Sequence, residues 1–355
     1  EYEEETLALC QHNAPKKMKN KQATIKDIAK EIGVSPSTVS RALNDHPAIS
    51  AATKVRIKAK AKELKYEPNI VALSLKNKTT KNIGVVIPEL IHFFFSSVIS
   101  GIEEVAYDNG YTVMVCQSKE SHDKEVKDVM ALLSHRVDGL LISHAKEIQN
   151  NDHYDEIQGR GVPLVFFDRM PSGVKAPSII IDDASAAQEA TQHLIERGCK
   201  SIMHLGNNLN MPISKARANG YRRALIESGM DVDEDMIIDC PSSVQNDSYS
   251  QILALLESGA KFDGLFASND LLAIGAIKAL KQFGLSIPED VAVVGFSNWN
   301  FCDMVDPPLS SVNQSGTEMG RRAMERLLRL IVEDEENAND VMILDTALIV
   351  RKSSK

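Results

Sequence analysis

The amino-acid sequence predicts an all-α headpiece at the N-terminus, followed by an α/β core with parallel sheets. Three observations support this fold class. Apolar residues recur at helical spacing in short segments between residues 23 and 67. After residue 82, short apolar runs alternate with helical stretches. Residues 15–81 contain 16 Lys and Arg against 5 Asp and Glu, whereas the whole 355-residue chain has a net charge of −9. A basic N-terminal part therefore precedes an acidic remainder.

The first predicted element is a helix that begins after Thr24. Apolar residues between Ile25 and Ile32 fall at positions i, i+3, i+4 and i+7, which places them on one face of a helix. Thr24 is a suitable N-cap, and Asp27 lies three residues further on, as in a capping box. Gly33 is expected to end the helix, because glycine readily adopts the left-handed conformation of a C-terminal cap.

The second predicted helix is capped by Ser35 and has Pro36 at its first position, where the missing N–H is not needed. Val39 and Leu43 are expected to anchor it to the first helix. Its polar residues are Ser37, Thr38, Ser40, Arg41 and Asn44. Two helices joined by a tight turn form a helix-turn-helix, and such a polar surface suits base edges and phosphates in a major groove. A generic helical hairpin is the alternative interpretation.

A third helix, capped by Ser50, carries six basic residues between Lys54 and Lys65. This concentration of positive charge at one end of an acidic chain predicts a polyanionic partner for that end only. The sequence lacks an apolar run of about 18 residues, so no transmembrane helix is expected. The five cysteines are far apart and lack the pairing of a metal site, which indicates reduced thiols in a cytoplasmic protein.

The core is expected to consist of strands alternating with helices. Predicted strands cover residues 83–88, 111–117, 138–143, 162–168, 178–182, 201–206, 235–240, 263–268 and 291–297. Their continuous apolar character is typical of parallel strands buried on both faces. Because they are too many for one sheet, two similar lobes are predicted.

Ligands of such sheets bind beyond the carboxyl ends of the strands, so the residues that follow each strand are candidates. These candidates are Phe94, Phe95, Asp168, Arg169, Arg217, Asp270 and Gln314. Carboxylates, guanidinium groups and amides beside aromatic rings suit a small polyhydroxylated ligand. Simpler roles are open for several of them. The phenylalanines could belong to the core, Asp270 could cap a helix, and Arg217 could be a surface charge.

Over about residues 23–350, the chain resembles the LacI/GalR family of bacterial transcription regulators. The motifs that carry this resemblance are TIKDIAKEIGVSPSTVSRALN, YEPNIVALSLKNKTTKNIGVVIP, FASNDLLAIGAIKAL and VVGFSNW with DPPLSSVNQ. The resemblance implies a helix-turn-helix headpiece, a hinge helix and a two-lobed core like that of periplasmic binding proteins. It also implies a homodimer that binds palindromic double-stranded operator DNA, with no cofactor and no membrane partner.

By this resemblance, Pro36, Ser37 and Arg41 read bases, and Arg41 donates to a guanine. The remaining DNA contacts are assigned to Thr24, Thr38, Ser40, Asn44 and Asn69. The hinge segment 69–76 would fold on the operator, and its Leu75 would wedge into the minor groove and kink the duplex.

In the core, the resemblance assigns Asp168, Arg169, Arg217, Asp270 and Gln314 to the hydroxyl groups of a sugar. Phe94 and Phe95 match stacking positions. Three departures from the family pattern, at His92-Phe93, Ser297 and Trp299, leave the identity of the effector open. The direction in which ligand shifts DNA affinity is also open.

The predicted domains are a disordered or non-native leader at 1–22, the headpiece at 23–67, and a hinge helix with linker at 68–81. The N-terminal lobe is predicted at 82–181 with 313–340, and the C-terminal lobe at 182–312 with 341–355. Catalysis is not expected, because GxSxG, P-loop, GxGxxG and HExxH motifs are missing. A secreted solute-binding protein would need a signal peptide. A regulator that responds to a co-repressor protein, rather than to a small ligand, is the main alternative.

Overall fold

The computed structural model describes residues 23–67, 79–90, 93–146, 149–209, 211–240, 245–332 and 339–355. The chain forms two compact units, one up to Lys78 and one from Thr79 onward. The predicted leader at 1–22 and the whole predicted hinge segment 69–76, including Asn69 and Leu75, lie outside the described residues.

The first unit contains the three predicted helices, α1 (Ile25–Ile32), α2 (Pro36–Leu43) and α3 (Ala51–Glu63). Its caps are those that the sequence predicts. Thr24 and Asp27 form a complete capping box, Gly33 ends α1 with φ of 76°, and the Ser35 side chain accepts a hydrogen bond from the backbone N–H of Thr38. A small core joins the helices and includes Ile28, Ala29, Val39, Ala42, Ile57 and Ala61.

The second unit is an α/β core. Its strands are β1 (Asn82–Ile87), β2 (Thr112–Gln117), β3 (Gly139–Ile142), β4 (Leu164–Phe167), β5 (Ser178–Ile181), β6 (Ile202–Gly206), β7 (Ile237–Asp239), β8 (Gly264–Ala267), β9 (Ala292–Phe296), β10 (Ser310–Asn313), β11 (Val341–Leu344) and β12 (Ala347–Ile349). Its helices are α4 (Phe93–Asp108), α5 (His122–Ser134), α6 (Asp152–Gly159), α7 (Asp183–Glu196), α8 (Pro212–Glu227), α9 (Gln245–Glu257), α10 (Asp270–Phe283) and α11 (Gly316–Val332), with a 3₁₀ turn at Glu234–Met236.

These strands form two sheets, as the sequence predicts. The first sheet has the strand order β11-β5-β4-β3-β1-β2, and the second has the order β12-β10-β9-β8-β6-β7. All neighbouring strands are parallel except β12, which pairs antiparallel with β10. The two sheets define an N-terminal lobe and a C-terminal lobe, and the helices pack on their faces.

The chain passes between the lobes three times: from β5 to α7, from β10 to α11, and from β11 to β12. This corrects one predicted boundary. Residues 341–355 were expected in the C-terminal lobe, but β11 pairs with β5 in the sheet of the N-terminal lobe. The last crossing therefore follows Leu344 rather than residue 340.

Close helix packing holds each lobe together. In the N-terminal lobe, α11 lies against α4 so tightly that a Cβ atom at Gly320 would stand 2.0 Å from the carbonyl oxygen of Val98. In the C-terminal lobe, a Cβ atom at Gly220 of α8 would stand 2.1 Å from the carbonyl oxygen of Ala184 of α7. Glycine is required at both positions because the backbones of the two helices are in direct contact.

Candidate functional site

The second helix of the headpiece presents the polar surface that the sequence predicts. Ser37, Arg41 and Asn44 are exposed, while Val39 and Ala42 on the opposite face are buried. Pro36 is exposed at the first position of α2, and Thr38 and Ser40 are partly exposed. The Arg41 guanidinium is thus available to a ligand at the surface, which is the arrangement that a major-groove contact requires.

Several of the predicted DNA contacts also have structural partners within the headpiece. The Ser35 hydroxyl lies 2.8 Å from both the Ser37 and the Thr38 hydroxyls. The Thr24 hydroxyl donates to Asp27 (2.7 Å), and the Asn44 side-chain amide donates to the carbonyl oxygen of Ser40 (2.8 Å). These side chains are therefore oriented before any ligand arrives, and their roles toward DNA remain predictions.

The predicted ligand residues of the core, with one exception, meet in a cleft lined by both lobes. We call this space the polar cleft. Its walls are Phe94, Phe95, Glu120, Lys146, Asp168, Arg169, Asn207, Met211, Ile213, Ser214, Arg217, Ser268, Asn269, Ser297, Trp299 and Gln314. Gln314 is only 2% exposed, and Trp299 is 7% exposed. The side chains at the strand ends thus converge as the parallel topology requires.

In the N-terminal lobe, Asp168 and Arg169 follow β4 directly. The Arg169 guanidinium donates to both carboxylate oxygens of Glu120 at 3.0 Å, and its Nε lies 3.5 Å from Asp168 Oδ2. The Ser143 hydroxyl donates to the same Asp168 oxygen (3.3 Å). Burial raises the pKa of Asp168, although the charges of Arg169 and Arg217 oppose this rise. Lys146 completes the group, with its Nζ 3.7 Å from Glu120.

In the C-terminal lobe, Arg217 is held from three sides. It donates to Asp183 (2.8 Å) and to the carbonyl oxygen of Ser268 (2.6 Å), and its guanidinium carbon lies 3.8 Å above the Phe296 ring centroid. Burial raises the pKa of Asp183 to about 6, even though Arg217 opposes this effect. Arg217 is therefore a buried, oriented donor at the cleft rather than a surface charge.

Asp270 is the exception among the predicted ligand residues, because its side chain packs away from the polar cleft. The Asp270 side chain is fully buried and does not line the polar cleft. Its two carboxylate oxygens accept from the Ser311 hydroxyl (2.6 Å) and from the backbone N–H of Trp299 (2.8 Å). Burial raises the pKa of Asp270 to about 6. This carboxylate therefore holds the loop after β9 in place, while the preceding Asn269 both caps α10 and faces the cleft.

Phe94 and Phe95 combine two of the roles that the sequence left open. They are 6% and 3% exposed and belong to the main hydrophobic core cluster, with ring centroids 5.3 Å apart in an edge-to-face arrangement. They also line the polar cleft. His92, one of the noted departures from the family pattern, lies outside the described residues.

Sequence reasoning missed several polar residues of the cleft, among them Glu120, Lys146, Asn207 and Ser214. Asp183, which holds Arg217, was also missed. It directly follows Asp182 at the end of β5, so the strand-end rule that found Asp168 could have found it. Glu120 carries a weaker signal: it lies three residues after β2, and both Lys119 and Glu120 have positive φ values, of 53° and 61°.

Over the described ranges, no group of three or more His, Cys, Asp or Glu side chains is placed to hold a metal ion. Within the same ranges, no helix has both the length and the apolar character needed to cross a membrane.

A helix-turn-helix unit joined to a two-lobed, periplasmic-binding-protein-like core defines a class of ligand-responsive DNA-binding regulators. Comparison with known proteins identifies the family. Residues 24–69 match the model for bacterial regulatory proteins of the lacI family. Residues 80–352 match the model for periplasmic binding proteins and the sugar binding domain of the LacI family. The chain therefore belongs to the LacI family and is a DNA-binding transcription regulator.

Curated relatives extend over almost the whole chain. It is 32% identical to catabolite control protein A of Priestia megaterium over 333 residues, which is 94% of this chain and 99% of the relative. It is 33% identical to the HTH-type transcriptional repressor PurR of Vibrio atlanticus (strain LGP32), again over 94% of this chain and 99% of the relative. These relatives are transcription regulators, not enzymes.

Solved structures of similar proteins have the same fold. The lac repressor dimer bound to operator and the anti-inducer ONPF is 26% identical, with a TM-score of 0.84 over 94% of this chain and 99% of that one. A complex of the transcriptional regulator CelR with cellobiose is 28% identical, with a TM-score of 0.70 over 94% of this chain and 100% of that one. A LacI-family regulator from Enterococcus faecium with bound ribose is 27% identical, with a TM-score of 0.68 over 77% of this chain and 98% of that one.

Proposed function

We propose that this protein is a repressor that binds a palindromic operator as a homodimer and whose operator affinity is controlled by a neutral polyhydroxylated molecule. A sugar or sugar derivative in the polar cleft fits this description. The DNA half of the proposal is supported by family membership and by the exposed polar face of α2. The ligand half is supported by the chemistry of the cleft.

The charge balance of the cleft is the observation that carries the ligand half. Arg169 and Lys146 both lie against Glu120, and Arg217 lies against Asp183. Among the described lining residues, each positive charge thus already has a carboxylate partner. A phosphorylated or carboxylated ligand would have to displace one of these pairs, at a cost in electrostatic free energy. A neutral ligand leaves the pairs intact.

The uncharged side chains of the cleft suit sugar hydroxyls. Asn207, Asn269 and Gln314 offer amide donors and acceptors, Ser214 and Ser268 offer hydroxyls, and Trp299 offers an aromatic face for C–H groups of a sugar ring. Two of the similar structures hold the sugars cellobiose and ribose. A sugar is therefore a chemically consistent effector for this chain.

The polar cleft has little free space. It leaves a volume of about 80 Å³, whereas pockets for small ligands typically measure roughly 300 to 1,000 Å³. Entry of a ligand therefore requires the lobes or the cleft side chains to move apart. A ligand that binds one arrangement of the two lobes more tightly than another shifts the population toward that arrangement. Coupling between two binding sites typically changes the affinity at the other site, here the affinity for operator DNA, by about 5- to 150-fold.

The test uses the only tryptophan, Trp299, as an internal reporter. The purified full chain is first mixed with sheared DNA of the source organism, and the retained fragments are sequenced to recover the operator. Fluorescence and operator affinity are then measured against neutral mono- and disaccharides, sugar phosphates and nucleobases. Neutral sugars should quench or enhance the signal and change operator affinity at least fivefold.

Matched variants localise the response. Gln314→Leu should weaken the effective sugar at least tenfold, whereas Gln282→Leu, an exposed position on α10, should bind it normally. If sugar phosphates or nucleobases act and neutral sugars do not, the proposed effector class is wrong. If operator affinity changes only when a partner protein is added, and the Gln314 variant responds equally, the chain is controlled by a co-repressor protein.

A further inference from the structure

One carboxylate in the polar cleft, that of Glu120, binds two cationic residues that belong to different loops. The Arg169 guanidinium donates to both of its oxygens at 3.0 Å. The backbone N–H of Lys146 donates to it at 2.9 Å, and the Lys146 Nζ lies 3.7 Å away. Guanidinium and ammonium groups are the usual protein partners of carboxylates and phosphates. Glu120 thus makes the contacts that an anionic group of a ligand would make with the same two residues.

The position of Glu120 depends on an unusual turn after β2. Lys119 and Glu120 are consecutive residues with left-handed backbone, with φ values of 53° and 61°. Residues with a side chain seldom adopt this conformation, and they keep it only where surrounding contacts hold it. The turn is fixed to the end of β1, because the backbone N–H groups of Ser118 and Lys119 donate to the carbonyl oxygens of Ile87 and Pro88 at 2.9 Å. Strained backbone of this kind is concentrated at functional sites, which favours a role for Glu120 in the cleft.

The turn carries the Glu120 carboxylate across the sheet of the N-terminal lobe. Four neighbouring strands of this sheet have the order β4-β3-β1-β2. Arg169 follows β4 and Lys146 follows β3, whereas Glu120 follows β2, on the other side of β1. Glu120 therefore reaches past the end of β1 to bind the two cations. All three side chains line the polar cleft, so this ion-pair group forms part of the wall that a ligand would meet.

The charges of this group are weakly screened by water, because only 14% of the Arg169 side chain, 17% of Lys146 and 19% of Glu120 is exposed. Burial lowers the pKa of Lys146, and the charge of Arg169 acts in the same direction, while Glu120 opposes both. The two cations thus disfavour one another and depend on Glu120 for compensation. Asp168 is the other carboxylate beside Arg169. Without Glu120, this wall of the cleft would carry an excess of at least one positive charge.

We propose that Glu120 is the residue that restricts the polar cleft to neutral ligands, because its carboxylate occupies an anion site formed by Arg169 and Lys146. This inference rests on the proposed function of the polar cleft. A phosphate or carboxylate group that enters the cleft meets cations that are already neutralised, and displacing Glu120 would leave the Glu120 charge without a partner. A sugar hydroxyl needs no counter-charge, and it can accept from either cation while Glu120 stays bound. Glu120 thus determines which charge of ligand the cleft accepts.

The experiment asks whether loss of the Glu120 charge creates an anion site. The natural full chain and its Glu120→Gln and Glu120→Ala variants are titrated with inorganic phosphate, with phosphate esters of glucose and ribose, and with the neutral sugars. Binding is followed by calorimetry and by the fluorescence of Trp299 in the cleft wall. Both variants should bind inorganic phosphate about 10- to 100-fold more tightly than the natural protein, because the freed cations can donate charge-assisted hydrogen bonds. Added salt should weaken the new binding.

Two further variants locate the new site. Glu189→Gln removes an exposed charge on α7, is the matched control, and should bind phosphate as the natural protein does. Glu120→Gln combined with Lys146→Met removes one negative and one positive charge, so most of the gain in phosphate affinity should be lost. If Glu120→Ala is unstable, phosphate should raise the midpoint of its urea unfolding and leave that of the natural protein unchanged. Equal phosphate binding by the natural protein and both Glu120 variants would overturn the inference.

The outcomes separate this inference from the proposed function. If the natural protein binds neutral sugars and the Glu120 variants gain no affinity for anions, the inference is wrong and the proposed function stands. If the variants gain phosphate binding but the natural protein binds no neutral sugar, the anion site is supported and the proposed effector class fails. If the natural protein already binds sugar phosphates as tightly as the variants do, Glu120 excludes nothing and both are wrong.

Discussion

The burial of Asp270 leads to a prediction about the pH dependence of stability. Its carboxylate is completely buried and accepts from the Ser311 hydroxyl and the Trp299 backbone N–H. Burial raises its pKa from the ordinary 3.8 to about 6. The folded state therefore binds a proton more tightly than the unfolded state. The stabilisation from this proton is complete below about pH 4 and is lost as the pH rises through about 6.

The magnitude follows from the two pKa values. A rise from 3.8 to about 6 corresponds to roughly 3 kcal/mol, lost between about pH 4 and pH 7. Asp270→Asn cannot titrate, but its amide can accept from Trp299 N–H and donate to the Ser311 oxygen. Relative to the natural protein, this variant should gain about 3 kcal/mol over the same pH range, and about half of that between pH 5 and pH 7.

The assay is urea unfolding of the full chain and of the Asp270→Asn variant at several pH values, followed by the fluorescence of Trp299, which lies beside the substitution. Asp183 also titrates near pH 6, but it is present in both proteins, so its contribution cancels in the difference. The Asp270→Ala variant removes the hydrogen-bonding group altogether. It leaves the Trp299 N–H buried without an acceptor and should destabilise the protein by about 2 to 4 kcal/mol at pH 7.

A difference in stability between the natural protein and Asp270→Asn that does not change with pH would refute this reasoning. So would an Asp270→Ala protein of normal stability that fails to bind effector. The latter result would restore the original interpretation of Asp270 as a direct ligand contact.

Three further predictions concern the headpiece, the hinge and the core. Arg41→Ala should lose about 1 to 3 kcal/mol of operator discrimination but keep weak, salt-sensitive binding to any DNA, as measured by titration at several salt concentrations; equal loss on all sequences would contradict base reading. Leu75→Ala should reduce operator bending in a gel-mobility or energy-transfer assay while effector binding to the core is unchanged; normal bending would argue against a minor-groove wedge. Gly320→Ala should lower the free energy of unfolding by about 1 to 3 kcal/mol because its Cβ would overlap the carbonyl oxygen of Val98. Gly159→Ala, which meets nothing within 4 Å, is the control and should be neutral or slightly stabilising.

The headpiece was predictable from sequence because its signals are local. Caps at Thr24, Ser35 and Ser50 and the glycine at 33 each act within one helical turn, and the structure confirms all four. The parallel strands were predictable for a similar reason, since burial on both faces leaves a continuous apolar run such as that of β1.

The strands β10 to β12 were missed for a physical reason. β10 is short and contains two serines whose hydroxyls are bound internally, Ser310 Oγ donating to the carbonyl oxygen of Arg351 and Ser311 Oγ to Asp270. β11 and β12 lie at sheet edges and contain only exposed and partly buried residues, which alternate along β11. Their place is determined by tertiary pairing, which composition alone does not reveal, so the boundary near residue 340 was misplaced.

The strand-end rule located part of the polar cleft, but it could not tell a residue that faces the cleft from its neighbour that faces the core. Asn269 and Asp270 are adjacent after β8, and only the helix geometry of α10 decides which side chain is buried. The sequence also does not reveal which residues a candidate side chain will contact in the folded protein. Glu120 lies 49 positions from Arg169, yet the two form one ion pair that sets the charge of the site.

The three crossings between the lobes also determine how the chain can fold during synthesis. The first sheet stays incomplete until β11 has emerged from the ribosome, and the second until β10 and β12 have emerged, although their central strands are made much earlier. A nascent chain that has not yet reached residue 310 has open sheet edges at β5 and β9, in addition to the edges at β2 and β7 that the finished sheets retain. Unpaired edges of apolar strands readily pair with other chains. During translation, the edges at β5 and β9 therefore stay open to pairing with other chains until β11 and β10 have been made.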